Sequence, residues 1–226
     1  MPRVAVVTGG AGGIGGAIVS HLEAAGHVVA VIDRSGEFAC DLADAQQVRT
    51  TAERILDIHG RCDILVHCAA SFDRFGIDDL DLTRWQRVQA VNVESLLILA
   101  NTFIPAMREN HFGRIVSVVS NTIWKPPGGH LLAYVASKGA LAGITRTLAV
   151  ALGPDGIAVT AVAPGLTPTP GANVPAEELL DVLAHQPLAR TLDPDDVGAA
   201  VAFLASDGAA AMTGQTLIVD GGTVMR

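Results

Sequence analysis

Tyr134 and Lys138 are the residues whose types and spacing most directly suggest chemistry, since they begin and end the segment YVASK. On a helix, residues four positions apart share one face, so the ammonium of Lys138 can lie beside the phenol of Tyr134. A nearby cation favours phenolate and lowers the pKa of a tyrosine from its ordinary value of ~10, which suits acid/base chemistry at neutral pH. The pair alone also fits a half-exposed tyrosine beside a solvated lysine, so its meaning depends on the rest of the chain.

A glycine-rich segment, TGGAGGIG, follows the first predicted strand and precedes the first predicted helix. Glycines at this place let the backbone approach a pyrophosphate, and the helix N-terminus adds N–H donors and a favourable dipole. The segment therefore predicts a nucleotide phosphate site. Its expected cofactor contacts are Thr8, Gly9, Gly13, Ile14 and Gly15.

Asp33 stands at the end of the second predicted strand. A carboxylate there can accept hydrogen bonds from the adenosine ribose hydroxyls and would repel a 2′-phosphate, which favours NAD over NADP. Arg34 is the opposing signal, because an arginine can bind a 2′-phosphate. With Asp33 present and no basic residue in the glycine-rich segment, we interpret Arg34 as a solvated side chain at the edge of an NAD site.

Strands of continuous apolar residues alternate with helical segments along the chain, which predicts a parallel sheet covered on both faces. We expect strands at Val4–Thr8, Val28–Ile32, Ile64–Cys68, Arg114–Val119, Ala158–Ala163 and Thr216–Val219. Helices are expected at about Gly13–Ala25, from an Asp44 cap to His59, from a Thr83 cap to Asn110, at Leu132–Leu152 and from an Asp193 cap to Ala205. The predicted fold is one doubly wound α/β domain over residues 1–226. Too few residues separate Asp33 from Asp41 for a crossover helix, so the second crossover is predicted to be trimmed to a loop.

The composition argues against several classes of function. The net charge is −8, from 15 Lys plus Arg against 23 Asp plus Glu, and the scattered basic residues indicate no nucleic-acid partner. The longest apolar runs are too short to cross a bilayer and the N-terminus lacks the pattern of a signal peptide, so we expect a cytoplasmic protein with no membrane partner. Three cysteines without metal-ligand spacing predict buried thiols and no metal site.

Taken together, these motifs resemble the short-chain dehydrogenase/reductase family. The matching positions, in the family's order, are the loop TGxxxGxG from Thr8, Asp33, Asp41, Asn92, Ser120, YxxxK from Tyr134, Pro164-Gly165 and VDGG from Val219. The resemblance covers essentially the whole chain. It implies a Rossmann domain, a nicotinamide cofactor and a homo-oligomer, usually a tetramer or dimer.

The resemblance also implies a role for each catalytic candidate. Tyr134 would exchange a proton with the substrate hydroxyl or carbonyl, and Lys138 would lower its pKa and hold the nicotinamide ribose. Ser120 matches the serine that donates a hydrogen bond to the reacting oxygen, and Asn92 matches the residue that holds a water for proton relay. The further implied cofactor contacts are Asp41 and Leu42 near the adenine and Pro164, Gly165, Thr167 and Thr169 near the carboxamide, besides Asn92, Tyr134 and Lys138 themselves.

The chain departs from the family pattern at two places in the expected site. His67 and Cys68 stand where the family often has two asparagines, and we interpret both as structural substitutes. The segment between Ser120 and Tyr134 is one residue longer than is common, which leaves Asn121 as an alternative to Ser120.

The substrate is expected under a lid of few charges, at about Leu166–Arg190, whose helix begins near Glu177 and Glu178. We predict an NAD-dependent alcohol dehydrogenase or ketone reductase for a small apolar or aromatic secondary alcohol, similar to family members that act on aryl or cyclic alcohols. The alternatives are a 3-oxoacyl thioester reductase and a non-catalytic dinucleotide-sensing protein. The candidate substrate-lining residues are Phe72, Asn121, Trp124 and His130.

Overall fold

The computed structural model describes residues 2–169 and 174–226, and at its centre lies a parallel sheet of seven strands in the order β3-β2-β1-β4-β5-β6-β7. The strands are β1 Val4–Thr8, β2 Val28–Asp33, β3 Phe38–Ala39, β4 Ile64–His67, β5 Gly113–Val118, β6 Ile157–Pro164 and β7 Thr216–Val219. The helices are α1 Gly13–Ala24, α2 Ala45–His59, α3 Leu82–Gln89, α4 Ser95–Glu109, α5 Leu132–Leu152, α6 Ala176–His185 and α7 Pro194–Ala205. The predicted doubly wound α/β fold is confirmed.

The sheet has a core on each face because successive side chains of a strand point in opposite directions. On one face, Val6 and its neighbours pack against α2, α4 and α5, and on the other Ala5 and Val7 pack against α1 and α7. All residues of β1 and of β6 are buried, as the continuous apolar sequences predict for strands covered on both sides. The carboxyl ends of these strands are therefore held rigidly at one edge of the sheet.

Aspartate caps fix where several helices begin. Asp44 and Asp193 cap α2 and α7 as predicted, and each accepts backbone N–H groups from the first turn. The predicted Thr83 cap is wrong. The carboxylate of Asp81 accepts the N–H groups of Thr83 and Arg84 at 2.8 and 3.2 Å, so α3 begins earlier.

The long helix predicted up to Asn110 is interrupted by a π-turn at Ala90–Glu94, which separates α3 from α4. The turn was not predicted because its sequence, AVNVE, contains no glycine or proline that would signal a break in the helix. Two stretches, Leu82–Glu109 and Leu132–Asp155, are long and apolar enough by composition to cross a membrane. Many of their apolar side chains, Leu99 and Leu141 among them, pack in the core of the sheet.

The second crossover is trimmed as predicted, since residues 34–37 join β2 directly to β3 without a helix. Strand β3 was not predicted, because two residues are too few to show a pattern. It pairs with β2 through Ile32 with Phe38 and Asp33 with Ala39. This short edge strand keeps Asp33 and the following loop next to the end of β1.

Two loops and one helix lie above the carboxyl ends of the central strands. The loop after β4 joins the loop after β5 through an isolated bridge between Phe75 and Leu131. Helix α6 begins at Ala176 with Glu177 and Glu178 in its first turn, as predicted. Residues 170–173 of the predicted lid, which include Pro170 and Gly171, lie outside the described residues.

Candidate active site

A cleft of about 1390 Å³ opens at the carboxyl ends of the strands. The glycine-rich loop lies at one end, and α6 with the loops after β4 and β5 lies at the other. This is where an open parallel sheet places its ligand, at the point where the strand order reverses on either side of β1. Residues from separate loops and helices therefore line a single cavity.

The glycine-rich loop needs glycine at two positions that face neighbouring backbone. A Cβ at Gly15 would lie 2.0 Å from the carbonyl oxygen of Gly9. Gly9 itself has a φ of 72°, and a Cβ there would lie 2.8 Å from the Cα of Ala69. Both residues line the cleft, as do Gly13 and Ile14. The loop therefore presents a bare backbone surface at the N-terminus of α1, which suits a pyrophosphate.

Thr8 is not among the residues that line the cleft, and its predicted contact with the cofactor stays a prediction. Its side chain is fully buried under the loop, where its Oγ1 accepts the N–H groups of Cys68 and Ala69, each at 3.1 Å. These bonds tie the end of β1 to the end of β4. Thr8 therefore supports the loop from below.

The adenosine end of the cleft is lined by four of the predicted residues: Asp33, Arg34, Asp41 and Leu42. The carboxylate of Asp33 accepts the N–H of Ala11 at 3.0 Å, which joins β2 to the glycine-rich loop. Asp41 lies 3.3 Å from the guanidinium of Arg87, a cleft residue on α3 that the sequence analysis missed. The sequence does not indicate that Arg87 lies in the cleft. Its pairing with Asp41 shows this, because the ion pair places α3 at the same end of the cleft as Asp41.

Tyr134 and Lys138 both line the cleft from the first two turns of α5. The Nζ atom of Lys138 lies 5.6 Å from the centre of the Tyr134 ring and donates a hydrogen bond to the carbonyl oxygen of Val118 at 2.7 Å. The lysine is almost fully buried, and burial lowers its pKa to about 8. The predicted shared face of the helix is thus present.

The pKa of Tyr134 shifts in the direction opposite to the sequence prediction. Burial raises its pKa to about 12, while a hydrogen bond with Ser120 acts to lower it. The prediction counted the nearby ammonium and left out the loss of water around the ring, which disfavours phenolate. In the protein chain by itself, the phenol is therefore a proton donor at neutral pH.

Ser120 and Asn121 point to different partners, which distinguishes the two alternatives. Ser120 faces Tyr134, and its Oγ also accepts the hydroxyl of Thr122 at 3.0 Å. The amide of Asn121 donates to Asp220 at 3.0 Å and so joins the end of β5 to the segment after β7. The geometry favours Ser120 as the donor to a reacting oxygen, with Asn121 on the cleft wall.

Asn92 lies in the π-turn, fully buried beside the cleft, and its predicted contacts with the cofactor and a relay water stay predictions. Its amide nitrogen donates to the carbonyl oxygen of Ser71 at 3.1 Å and to the hydroxyl of Ser137 at 2.9 Å. Its Oδ1 accepts the N–H of Ser71 at 2.6 Å, and its backbone carbonyl lies 3.0 Å from Nε2 of His67. The side chain therefore connects the loop after β4 with α5.

The end of β6 and the loop that follows it bring four residues predicted to contact the cofactor to the cleft: Pro164, Gly165, Thr167 and Thr169. The side chain of Thr169 lies over the glycine-rich loop, 3.2 Å from where a Cβ of Gly13 would be. The N–H of Gly165 donates to the carbonyl oxygen of Val219 at 2.9 Å, which fixes the turn against β7. The two loops thus meet above the centre of the sheet.

Phe72 and His130, two of the candidate substrate-lining residues, line the cleft, and Phe72 packs edge-on against the ring of Tyr134 with 4.7 Å between the ring centres. Trp124 does not line it. Its side chain packs against the core and a shallow surface depression, with the guanidinium of Arg226 5.7 Å from its ring. The short 3₁₀ turn at Asn121–Ile123 carries Trp124 away from the cleft, a change of direction that the sequence pattern does not encode.

The substrate end also contains charged residues that the sequence analysis missed or discounted. Arg74 and Lys125 line it from the two bridged loops. The predicted lid of few charges nevertheless brings two acidic side chains and a histidine of α6 to the cleft: Glu178, Asp181 and His185. Arg74 pairs with Glu178 at 3.8 Å across the opening.

The three cysteines are free thiols, and Cys68 lines the cleft beside Lys138. Burial raises the pKa of Cys68 to about 11, so it is a neutral thiol under ordinary conditions. Within residues 2–169 and 174–226, no group of three or more His, Cys, Asp or Glu side chains is arranged to hold a metal ion.

Comparisons with known proteins agree with this fold and identify its family. A family model described as enoyl-(acyl carrier protein) reductase matches residues 9–224. A solved structure of a short-chain type dehydrogenase/reductase from Mycobacterium ulcerans superposes with a TM-score of 0.91 at 27% identity, covering 98% of this chain and 89% of that one. The chain belongs to the short-chain dehydrogenase/reductase family.

Curated relatives of this family member act on alcohol groups. A D-threitol dehydrogenase of Mycolicibacterium smegmatis is 32% identical over 99% of this chain and 94% of the relative. A cis-4-hydroxycyclohexanecarboxylate dehydrogenase of Sinomonas cyclohexanicum is 33% identical over 97% and 96%. This short-chain dehydrogenase/reductase is thus an oxidoreductase for alcohols or ketones.

One solved relative bears on the cofactor. The structure of a putative NAD(P)-dependent gluconate 5-dehydrogenase from Beutenbergia cavernae, with NADP bound at low occupancy, superposes with a TM-score of 0.91 at 35% identity. It covers 98% of this chain and 96% of that chain. The family uses NAD or NADP, and the choice between them depends on the adenosine end of each cleft.

Proposed function

We propose that the protein transfers a hydride between NAD(H) and a secondary alcohol or ketone, with Tyr134 as general acid/base. The observation that carries the proposal is the convergence of Tyr134, Lys138 and Ser120 at one cleft. Tyr134 and Lys138 come from α5, Ser120 comes from the end of β5, and all three line the same cavity as the glycine-rich loop. Hydride transfer to a carbonyl needs a proton source and a donor aimed at the same oxygen, and this arrangement supplies both.

A nicotinamide dinucleotide, when bound, supplies or accepts the hydride. We assign its pyrophosphate to the glycine-rich loop, its adenosine ribose to Asp33 and its carboxamide to residues 164–169. The fit is supported by Gly9 and Gly15, where any side chain would meet backbone atoms within 3 Å. The carboxylate of Asp33 at the adenosine end supports NAD, and Arg34 beside it is the residue that would have to engage a 2′-phosphate.

The proton chemistry follows from the environment of Tyr134. In ketone reduction, the phenol donates its proton to the carbonyl oxygen while the hydroxyl of Ser120 donates a hydrogen bond to that oxygen. The pKa of Tyr134, raised to about 12 by burial, keeps the phenol protonated and suits this direction. In alcohol oxidation Tyr134 must lose its proton first. The ammonium of Lys138 stabilises the phenolate, and the phenolate in turn raises the pKa of Lys138 above the value of about 8 that it has beside the neutral phenol.

Phe72 supports an apolar or aromatic substituent on the substrate, because its half-exposed ring lies against the Tyr134 ring. A second candidate is reduction of a 3-oxoacyl thioester. Arg74 and Lys125 at the substrate end favour it, since a carrier phosphate needs basic partners. The two candidates differ in the group attached to the carbonyl and share the same acid/base machinery.

The test is the absorbance of reduced nicotinamide with a panel of secondary alcohols and ketones, a 3-oxoacyl thioester and both cofactors. We expect turnover with NAD(H), alcohol oxidation that accelerates from pH ~6 to ~10 as the phenolate fraction grows, and ketone reduction that stays nearly constant over that range. A flat oxidation profile would contradict Tyr134 as the base, and turnover with NADP alone would contradict the role of Asp33. Dinucleotide binding without turnover on any substrate would favour the sensing protein.

We also propose a homo-oligomer, a dimer or tetramer. Leu97 on α4 and Val150 on α5 are 42% and 82% exposed, which supports a contact between these helices and another copy. Light scattering at micromolar concentration tests it, and a monomer there would contradict it.

A further inference from the structure

His67 is fully buried beneath the cleft at the end of β4, and both of its ring nitrogens have partners. Nδ1 lies 3.1 Å from the hydroxyl oxygen of Thr8, and Nε2 lies 3.0 Å from the backbone carbonyl oxygen of Asn92. The imidazole of His67 therefore connects Thr8, which lies beneath the glycine-rich loop, to the π-turn that contains Asn92. The family often has asparagine at this position, and that shorter side chain cannot span the same two partners in the same way.

The hydrogen-bond partners determine which ring nitrogen carries the proton. The Oγ1 of Thr8 already accepts two backbone N–H groups, from Cys68 and Ala69, so its own hydrogen is directed to Nδ1. The carbonyl of Asn92 can only accept, so Nε2 must carry the hydrogen. His67 is thus a neutral imidazole of the Nε2–H form, with every polar atom satisfied.

The surroundings of His67 also favour its neutral form. Burial is the main reason that the pKa of His67 is lowered to about 3, and the ammonium of Lys138 lowers it further. Cys68, the next residue in the chain, is a neutral thiol because its pKa is raised. A second proton on His67 would require Thr8 to turn its hydroxyl away and would place two cations under one cleft.

Asn92 carries the effect of His67 to the reacting groups. The Asn92 amide holds the backbone of Ser71, and the next residue, Phe72, packs on the ring of Tyr134. The same amide donates to Ser137, which precedes Lys138 and whose hydroxyl donates to the backbone oxygen of Tyr134 at 2.7 Å. A shift of the π-turn would therefore move both the phenol and the ammonium.

We propose that His67 is a positioning residue, whose neutral Nε2–H imidazole locks the Asn92 turn to Thr8 and thereby sets Tyr134 and Lys138 in register with the cofactor loop. The proposal rests on the proposed acid/base role of Tyr134. It assigns a function in the reaction to a residue that the sequence analysis treated as purely structural. The imidazole itself neither gives nor takes a proton during turnover.

The first test is ¹⁵N NMR of the wild-type protein labelled at histidine, with His67→Asn to assign the His67 signals. We expect a neutral Nε2–H imidazole whose signals do not change between pH ~5 and ~9, a range that spans the ordinary histidine pKa of ~6.5. The opposite tautomer, or titration near the ordinary value, would overturn the proposal. This measurement needs no substrate, so it remains decisive if the proposed function fails.

The second test compares His67→Phe, which removes both hydrogen bonds, with His67→Asn, which retains one at most. The control is His111→Asn, an exposed position with a φ of 48° that asparagine tolerates. Well below the unfolding temperature and per folded molecule, we expect His67→Phe to lower kcat about ten- to hundredfold, with little change in substrate KM. It should also shift the alkaline limb of the pH profile for oxidation, and His67→Asn should recover part of the loss.

A merely structural role predicts a different outcome. Both His67 variants would then melt earlier but keep the wild-type kcat and pH profile per folded molecule, and that result would overturn the proposal. If His67→Phe does not fold, the kcat and pH profile of His67→Asn and the NMR measurement on the wild type still test the proposal. If the wild-type protein shows the Nε2–H signal but turns over no substrate, the result would instead count against the proposed function.

Discussion

The floor of the cleft and its rim are built in different ways. The floor comprises the ends of β1, β4 and β5, the π-turn and the start of α5, and its side chains Thr8, Asn92 and Lys138 are all at least 98% buried. The rim comprises the loops after β4 and β5 together with α6, where Phe72 is 50% exposed. We infer from this difference that the proposed reaction depends on a buried network held by the strands, whereas substrate preference depends on exposed residues that can change without disturbing the sheet.

The largest effect is expected from removing the floor's proton donor. Tyr134→Phe keeps the ring against Phe72 and removes only the hydroxyl, so the fold and NADH binding should be retained while kcat falls about 10³-fold. Steady-state kinetics and NADH fluorescence titration measure the two quantities. A variant that kept even a tenth of the wild-type rate would show that the acid/base group lies elsewhere, and the contrast between floor and rim would fail.

A second prediction concerns the glycine-rich loop beside the floor. In Gly15→Ala the new methyl would meet the carbonyl oxygen of Gly9 at 2.0 Å, so the loop must move away from the end of β1. We expect the affinity for NAD(H) to fall by more than about tenfold or the free energy of unfolding to fall by about 2 kcal/mol or more.

Gly143→Ala on α5 is the matched control, because no atom lies within 4 Å of its added methyl. It should leave NAD(H) affinity unchanged and raise the free energy of unfolding by up to about 1 kcal/mol through helix propensity. Calorimetric titration and thermal melting of the two variants provide the comparison. Equal behaviour of the two alanines would refute the steric argument for the loop.

A third prediction tests the adenosine end, where a single carboxylate is proposed to set cofactor choice. Asp33→Ser should lower kcat/KM for NAD about ten- to hundredfold, because charge-assisted hydrogen bonds to the ribose are lost, and should raise kcat/KM for NADP. Adding Arg34→Ala should reverse the gain with NADP. If Asp33→Ser leaves the NAD to NADP ratio unchanged, the discrimination does not come from this side chain.

The smallest effect is expected at the rim. Arg74→Gln breaks an ion pair with Glu178 that is 3.8 Å long and largely exposed, so it should change the free energy of unfolding by less than about 1 kcal/mol. Substrate KM should change severalfold at most, with kcat unchanged, and Glu178→Gln should match it in stability. A large drop in kcat would mean that the rim takes part in the reaction, so that the floor and the rim would no longer differ in function.

Much of the fold could be predicted because its signals are local. The six longer strands, the aspartate caps of α2 and α7 and the missing second crossover follow from apolar runs, single residues and segment length. The two-residue β3 and the π-turn at Ala90–Glu94 could not be predicted in this way. The two residues of β3 are too few to show a pattern, and the five residues of the π-turn contain no glycine or proline that would mark a break in the helix.

The candidate site shows the same division. The segment YVASK indicated that Tyr134 and Lys138 share a helix face, and the structure agrees. The direction of the tyrosine pKa was predicted wrongly, since desolvation depends on what covers the ring. Trp124 was placed in the cleft because it follows a strand end, yet the turn after Ser120 directs it elsewhere.

The order of the elements, the glycine-rich loop and the proposed acid/base pair could be predicted from the sequence alone, because each depends on residues close together in the chain. Only the tertiary structure decided that His67 joins Thr8 to Asn92 and that Ser120, rather than Asn121, faces Tyr134. Those contacts connect residues that are far apart in sequence, and their protonation and orientation follow from burial. Burial arises only when the strands and helices pack together.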